Sequence, residues 1–169
     1  MAATNQWIFW ICLLLAVWTA LEGGVFKAFS EFIMRALARP APGVGIAAMQ
    51  EINRTVLGTQ FVFAIFALGA AAPLFAIAAL MSLQGLGATL IGLAALAYVV
   101  LVPGMTIFGN VPMNDRLDRL DPASAEAAVY WPLYLRRWTR MNHARTAGCI
   151  VAAALYALAA ATLAASGTV

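Results

Sequence analysis

Three long stretches of the chain carry no Lys, Arg, Asp or Glu: residues 1–21, 55–114 and 146–169. Every side chain of those four types falls into two islands, 22–54 and 115–145. A hydrocarbon layer of ~30 Å takes about 20 apolar residues of helix. The first and last stretches each supply one crossing. The middle one supplies two, joined by a turn at residues 82–87. The pattern predicts an all-α, integral membrane four-helix bundle forming a single domain over residues 1–169. Its helices are expected at about 7–36, 45–81, 88–109 and 123–165, the first and last extending beyond the apolar stretches on the charged side.

Local signals refine these bounds. Arg39-Pro40-Ala41-Pro42-Gly43 stops the first helix, because each proline disfavours helix in the residue before it. Pro73 predicts a kink in the second helix, and Pro112 a break at the end of the third that frees backbone carbonyls near Asn110 and Asn114. Asp121-Pro122 reads as a cap followed by a first helical residue, and Pro132 as a bend in the last helix. On the first helix Glu22, Phe26, Phe29 and Ser30 share a face, while Lys27, Glu31 and Arg35 form a separate, solvated stripe.

Composition agrees with the pattern: 64% of residues are hydrophobic and 10% charged, outside the range of soluble globular domains. All 10 basic residues lie in the two islands, which an even number of crossings places on one side. The positive-inside rule makes that side cytoplasmic, with both termini and the 82–87 turn outside, in what is expected to be a bacterial inner membrane. No basic residue precedes Trp7, so the first apolar stretch reads as a membrane helix, not a cleaved signal. Cys12 and Cys149 differ in expected depth by roughly 15 Å and are not expected to bond. The alanine-rich last helix suits close helix–helix approach, within the chain or between copies in a homo-oligomer. The lipid bilayer is the expected surroundings, and no nucleic-acid partner is expected.

Candidate chemistry gathers in residues 110–145, with Asn110, Asn114, Trp138, Asn142, His143 and Arg145, and in Gln50, Asn53 and Arg54. Gln50, Asn53 and Arg54 follow i, i+3, i+4 spacing, and Trp138, Asn142 and Arg145 follow i, i+4, i+7, so each set shares a helix face. Amides at such positions cap helix ends and bridge helices. Arg54 and Arg145 sit where an apolar stretch begins, where charge is costly unless it is functional or snorkels to the interface. His143 is the one histidine. There is no Glu-x-x-His, Gly-rich phosphate loop or Cys-x-x-Cys, and a metal site would have to draw on Glu22, Glu31, Glu51 and His143.

Four motifs in order, Phe29-Ser30, Met49-Gln50-x-x-Asn53-Arg54, Asn110-Val-Pro-x-Asn114 and Trp138-x-x-x-Asn142-His143-x-Arg145, resemble the anthrone oxygenase-like family of small four-helix membrane proteins. The resemblance implies oxidation of a hydrophobic phenolic or polycyclic substrate by dioxygen, without metal or flavin. Such chemistry needs a base, groups that hold an oxyanion, and a dry aromatic pocket. His143 is the expected base and Arg54 and Arg145 the expected oxyanion holders. Phe26, Phe29, Ser30, Gln50, Asn53, Asn110, Asn114, Trp138 and Asn142 are the expected substrate contacts. Two other readings fit the same residues: a non-enzymatic accessory or small-molecule-binding membrane protein, and a metal- or haem-dependent redox protein.

Overall fold

The computed structural model describes residues 6–167, and among them the chain is helical with no strand. Five helices follow in order: α1 (Gln6–Leu37), α2 (Pro42–Leu57), α3 (Gln60–Ser82), α4 (Leu86–Asp118) and α5 (Ala125–Ala165). Four of them, α1, α3, α4 and α5, are long and apolar enough to cross a membrane. The chain is an integral membrane protein built as an all-α bundle. α1 and α4 flank α5, α3 packs on α4, and α2 sits across the charged end against α1, α4 and α5.

The single helix expected over 45–81 is two helices. Leu57-Gly58-Thr59 interrupts it: Thr59 turns extended (φ −98°, ψ 155°) and its Oγ1 donates to the Val56 carbonyl at 2.7 Å. Glycine is a poor helix former and threonine a good residue for the position ahead of a helix, so the break is locally encoded. The break expected at Pro112 does not occur. α3 runs through Pro73 and α5 through Pro132 without interruption. In α4, Pro103 lies in a wider, π-helical segment, Val100–Gly104, and Pro112 follows a second one, Thr106–Asn110, in the first turn of Val111–Asp118, so α4 continues to Asp118. A π turn moves the hydrogen-bond register by one residue, which accommodates a residue lacking an N–H. The start of α5 also differs from expectation. Ser124 is its cap, accepting from the Ala127 N–H at 3.1 Å, while Asp121 holds the preceding turn through the Ala123 N–H at 2.9 Å.

Two cores result. Within the membrane stretch, Ile8, Cys12, Ile91, Ala94, Tyr98, Ala152, Tyr156 and Ala159 are fully buried among small neighbours. A Cβ at Gly148 would stand 2.5 Å from the Leu101 Cβ, so glycine is what lets α5 approach α4 this closely. Cys12 and Cys149 are buried and free. The second core, at the charged end, is aromatic. Trp131 stacks on Tyr134 with ring centroids 5.5 Å apart, and Tyr134 on Trp138 at 6.3 Å. Met34, Met49 and Leu117 close around them. A Cβ at Gly45 would lie 2.2 Å from the Leu37 carbonyl oxygen, so α2 can fold back on α1 because that position has no side chain.

Candidate functional site

Between the two cores lies an apolar cavity of about 200 Å³ to which all five helices contribute. Its walls include Phe26 and Phe29 from α1, Met49 and Asn53 from α2, Phe61 and Ile65 from α3, Asn110 and Asn114 from α4, and Trp138, Asn142 and Arg145 from α5. Exposed Leu57 and Phe66 border it on the apolar side, and exposed Arg54, Asp115 and Asp118 on the polar side. The mouth therefore has one apolar rim and one charged rim. The Gly58–Thr59 break helps make this space, since it separates the walls supplied by α2 and α3.

Arg145 is the centre of the arrangement. It is 6% exposed, yet no carboxylate comes within ion-pair distance among the described residues. Its Nη2 donates to Asn142 Oδ1 at 2.8 Å, and Nη1 stands 3.5 Å from Thr106 Oγ1. The guanidinium carbon sits 4.4 Å from the Phe26 ring centroid and 5.1 Å from that of Trp138. Arg145 Nε is buried and has no hydrogen-bond partner. Aromatic faces attract a desolvated cation, but they do not replace the hydrogen bonds it gives up in leaving water.

The amides hold this centre in place. Asn142 Nδ2 donates to the Phe26 carbonyl at 2.6 Å and to Ser30 Oγ at 2.7 Å, tying α5 to α1 beside the π-helical turn Phe29–Ile33. Asn114 Oδ1 accepts from both the Tyr134 hydroxyl and Trp138 Nε1, each at 2.8 Å, which fixes the indole that forms the wall. Asn110 Nδ2 donates to the Trp138 carbonyl at 3.2 Å, leaving its Oδ1 buried without a partner. Asn53 Nδ2 is buried beside the Tyr134 hydroxyl without a hydrogen bond of normal length.

The structure thus brings together Phe26, Phe29, Asn53, Arg54, Asn110, Asn114, Trp138, Asn142 and Arg145. Three expected residues stand apart. His143, expected as the base, is exposed and lines a separate groove with Arg136 and Arg140. Helical geometry explains this: at about 100° per residue, His143 is turned roughly 200° from Arg145. Gln50 is buried but structural, its Nε2 donating to the Leu117 and Leu120 carbonyls at 2.9 Å each and so closing the end of α4. Ser30 serves as acceptor for Asn142 and lines the groove, not the cavity. Arg54 reaches the mouth, where its Nη2 pairs with Asp118 at 2.7 Å, so it is not free to hold an oxyanion as expected.

Glu22, expected only as a candidate metal ligand, pairs instead with Tyr98. Glu22, 3% exposed just past the uncharged stretch of α1, accepts from the Tyr98 hydroxyl on Oε2 at 2.6 Å, while its Oε1 has no partner. It lies one turn from Phe26, and its placement as the first acid after an uncharged run was the available signal. Glu22, Glu31, Glu51 and His143 do not converge. Among the described residues no three of His, Cys, Asp or Glu form a group able to hold a metal ion.

Fold and site together define a small polytopic membrane protein with an aromatic cavity closed by a buried, amide-held arginine. The chain belongs to the anthrone oxygenase family, whose model matches residues 49–155, from α2 through most of α5. No curated protein and no solved structure matches the chain.

Proposed function

We propose that the protein is a cofactor-independent oxygenase of hydrophobic phenolic or polycyclic substrates, with its charged end in the cytoplasm and its termini outside. Family membership supports an oxygenase-related role. The observation that carries the chemistry is Arg145: a buried cation with no carboxylate partner, lining an apolar aromatic cavity. A site of that kind suits a flat substrate whose oxygen becomes an anion during the reaction.

In this reading the substrate enters from the bilayer past Leu57 and Phe66, and its ring packs between Phe26, Phe29 and Trp138. Its ring oxygen approaches Arg145 Nε, and Asn110 and Asn53 supply the flanking amide contacts. Asp115 at the mouth takes the proton from the activated ring methylene, in the role first expected of His143. Arg145 holds the resulting enolate oxygen. The carbanionic carbon reduces dioxygen and bonds to one of its atoms, giving a hydroperoxide. Loss of water from that hydroperoxide leaves a carbonyl. The balance is one methylene and one dioxygen to one ketone and one water. A dry, low-dielectric pocket strengthens the charge stabilisation.

The test is oxygen uptake and quinone formation with a model anthrone, using protein in nanodiscs. One quinone per dioxygen, lost in Arg145→Gln, is the expected result. Saturable anthrone binding without oxygen uptake would instead establish a small-molecule-binding protein.

A further inference from the structure

A groove of about 420 Å³ lies between α1 and α5, separate from the cavity. Arg136, Arg140 and His143 line it from α5, at i, i+4, i+7 spacing that stacks them on one helix face. Arg35 lines it from the extension of α1, and Met34 and Leu135 add apolar surface. None of these three guanidinium groups has an ion pair or hydrogen bond among the described residues. Glu31, one turn before Arg35, is already paired with Lys27. The groove also stands at the edge of the membrane stretch, since the uncharged run of α5 begins at residue 146.

Three guanidinium groups around one concavity repel one another unless an anion sits among them. Their planar forks match the oxygens of a phosphate, and the apolar surface beside them suits the start of an acyl chain. Basic grooves between helices at the cytoplasmic boundary of a membrane have the position and charge to take anionic headgroups. We propose that this groove is a phosphate-binding site occupied by the headgroup of an anionic phospholipid. Arg35, Arg136 and Arg140 hold the phosphate, and His143 borders it. The site is independent of the oxygenase reading and gives His143 a place at the membrane surface.

The experiment reads lipid retention by native mass spectrometry, with the full chain in nanodiscs of equal parts phosphatidylcholine and phosphatidylglycerol. Wild type is expected to keep one phosphatidylglycerol in preference to phosphatidylcholine. Neutralising one groove arginine should weaken that preference roughly fivefold, and Arg35→Gln/Arg136→Gln/Arg140→Gln together on the order of 100-fold. Lys27→Gln, which removes a basic residue paired outside the groove, should leave the preference intact. If the triple variant does not purify as a helical, monodisperse protein, Arg136→Gln alone supplies the fivefold test. In a second arm, thermal stability in neutral detergent is followed against inorganic phosphate. Saturable stabilisation by phosphate that the arginine variants lose, without lipid preference, would retain the phosphate chemistry but overturn the lipid as its source. Equal retention of both lipids with no phosphate response, or a preference unchanged in the variants, would overturn the site.

Discussion

Replacing Arg145 by methionine separates two things a buried charge can do. As a structural element, Arg145 contributes a hydrogen bond to Asn142 at 2.8 Å, a long one to Thr106 at 3.5 Å and two ring contacts, at 4.4 and 5.1 Å. Charge-assisted hydrogen bonds contribute about 1.5–3 kcal/mol net and a desolvated cation–ring contact about 2 kcal/mol. Against them stands the cost of removing a guanidinium from water, several kcal/mol per ion, with no carboxylate to offset it. The terms nearly cancel, so Arg145→Met should cost at most about 2 kcal/mol, most of it from leaving the buried Asn142 Oδ1 without its donor. For a chain of this size that is a shift of no more than roughly 4–8 °C in Tm. Methionine is long and flexible enough to fill the space against Phe26 and Trp138. Turnover should behave otherwise. Loss of one preorganised oxyanion donor costs about 10²–10³ in rate. Scanning fluorimetry and oxygen uptake on the same nanodisc preparation measure both quantities. A variant that unfolds, or one that keeps wild-type kcat/KM, would falsify the assignment of Arg145 to substrate.

Further outcomes follow from the same contacts. His143→Gln and His143→Ala should keep anthrone oxidation within about twofold of wild type, because the side chain lies outside the cavity, whereas loss of a positioned base costs on the order of 10²–10⁴. Asn114→Leu removes the acceptor shared by Tyr134 and Trp138; it should lower stability by about 2–4 kcal/mol and shift tryptophan emission, read by fluorescence during thermal melting. Gly45→Ala forces a methyl against the Leu37 carbonyl; it should cost about 1–3 kcal/mol or detach α2, detected as new protease cleavage in 38–58. Glu22→Gln preserves an acceptor for the Tyr98 hydroxyl and should leave Tm nearly unchanged, while Glu22→Leu leaves that buried hydroxyl only the Ile65 carbonyl at 3.5 Å and should cost about 1–3 kcal/mol.

The distribution of charge along the chain was enough to count the membrane helices and to group the polar residues at one end. That holds because a charge in hydrocarbon is costly whatever its neighbours, so the constraint is written residue by residue. The i, i+4, i+7 spacing of Trp138, Asn142 and Arg145 likewise put them on one face before any neighbour was known. Tertiary structure decided what that face meets. Whether Arg145 finds a carboxylate, whether Arg54 is free, and whether Gln50 faces a cavity or a helix end depend on residues tens of positions away. The break expected at Pro112 did not form for a related reason: π-helical turns let α4 run on within the packed bundle, and local rules contain no term for that. His143 shows the limit most plainly. Its chemistry singled it out in the sequence, but a rotation of one residue along α5 turns it from the cavity to the groove, and only the packing of α1 against α5 sets which face is which.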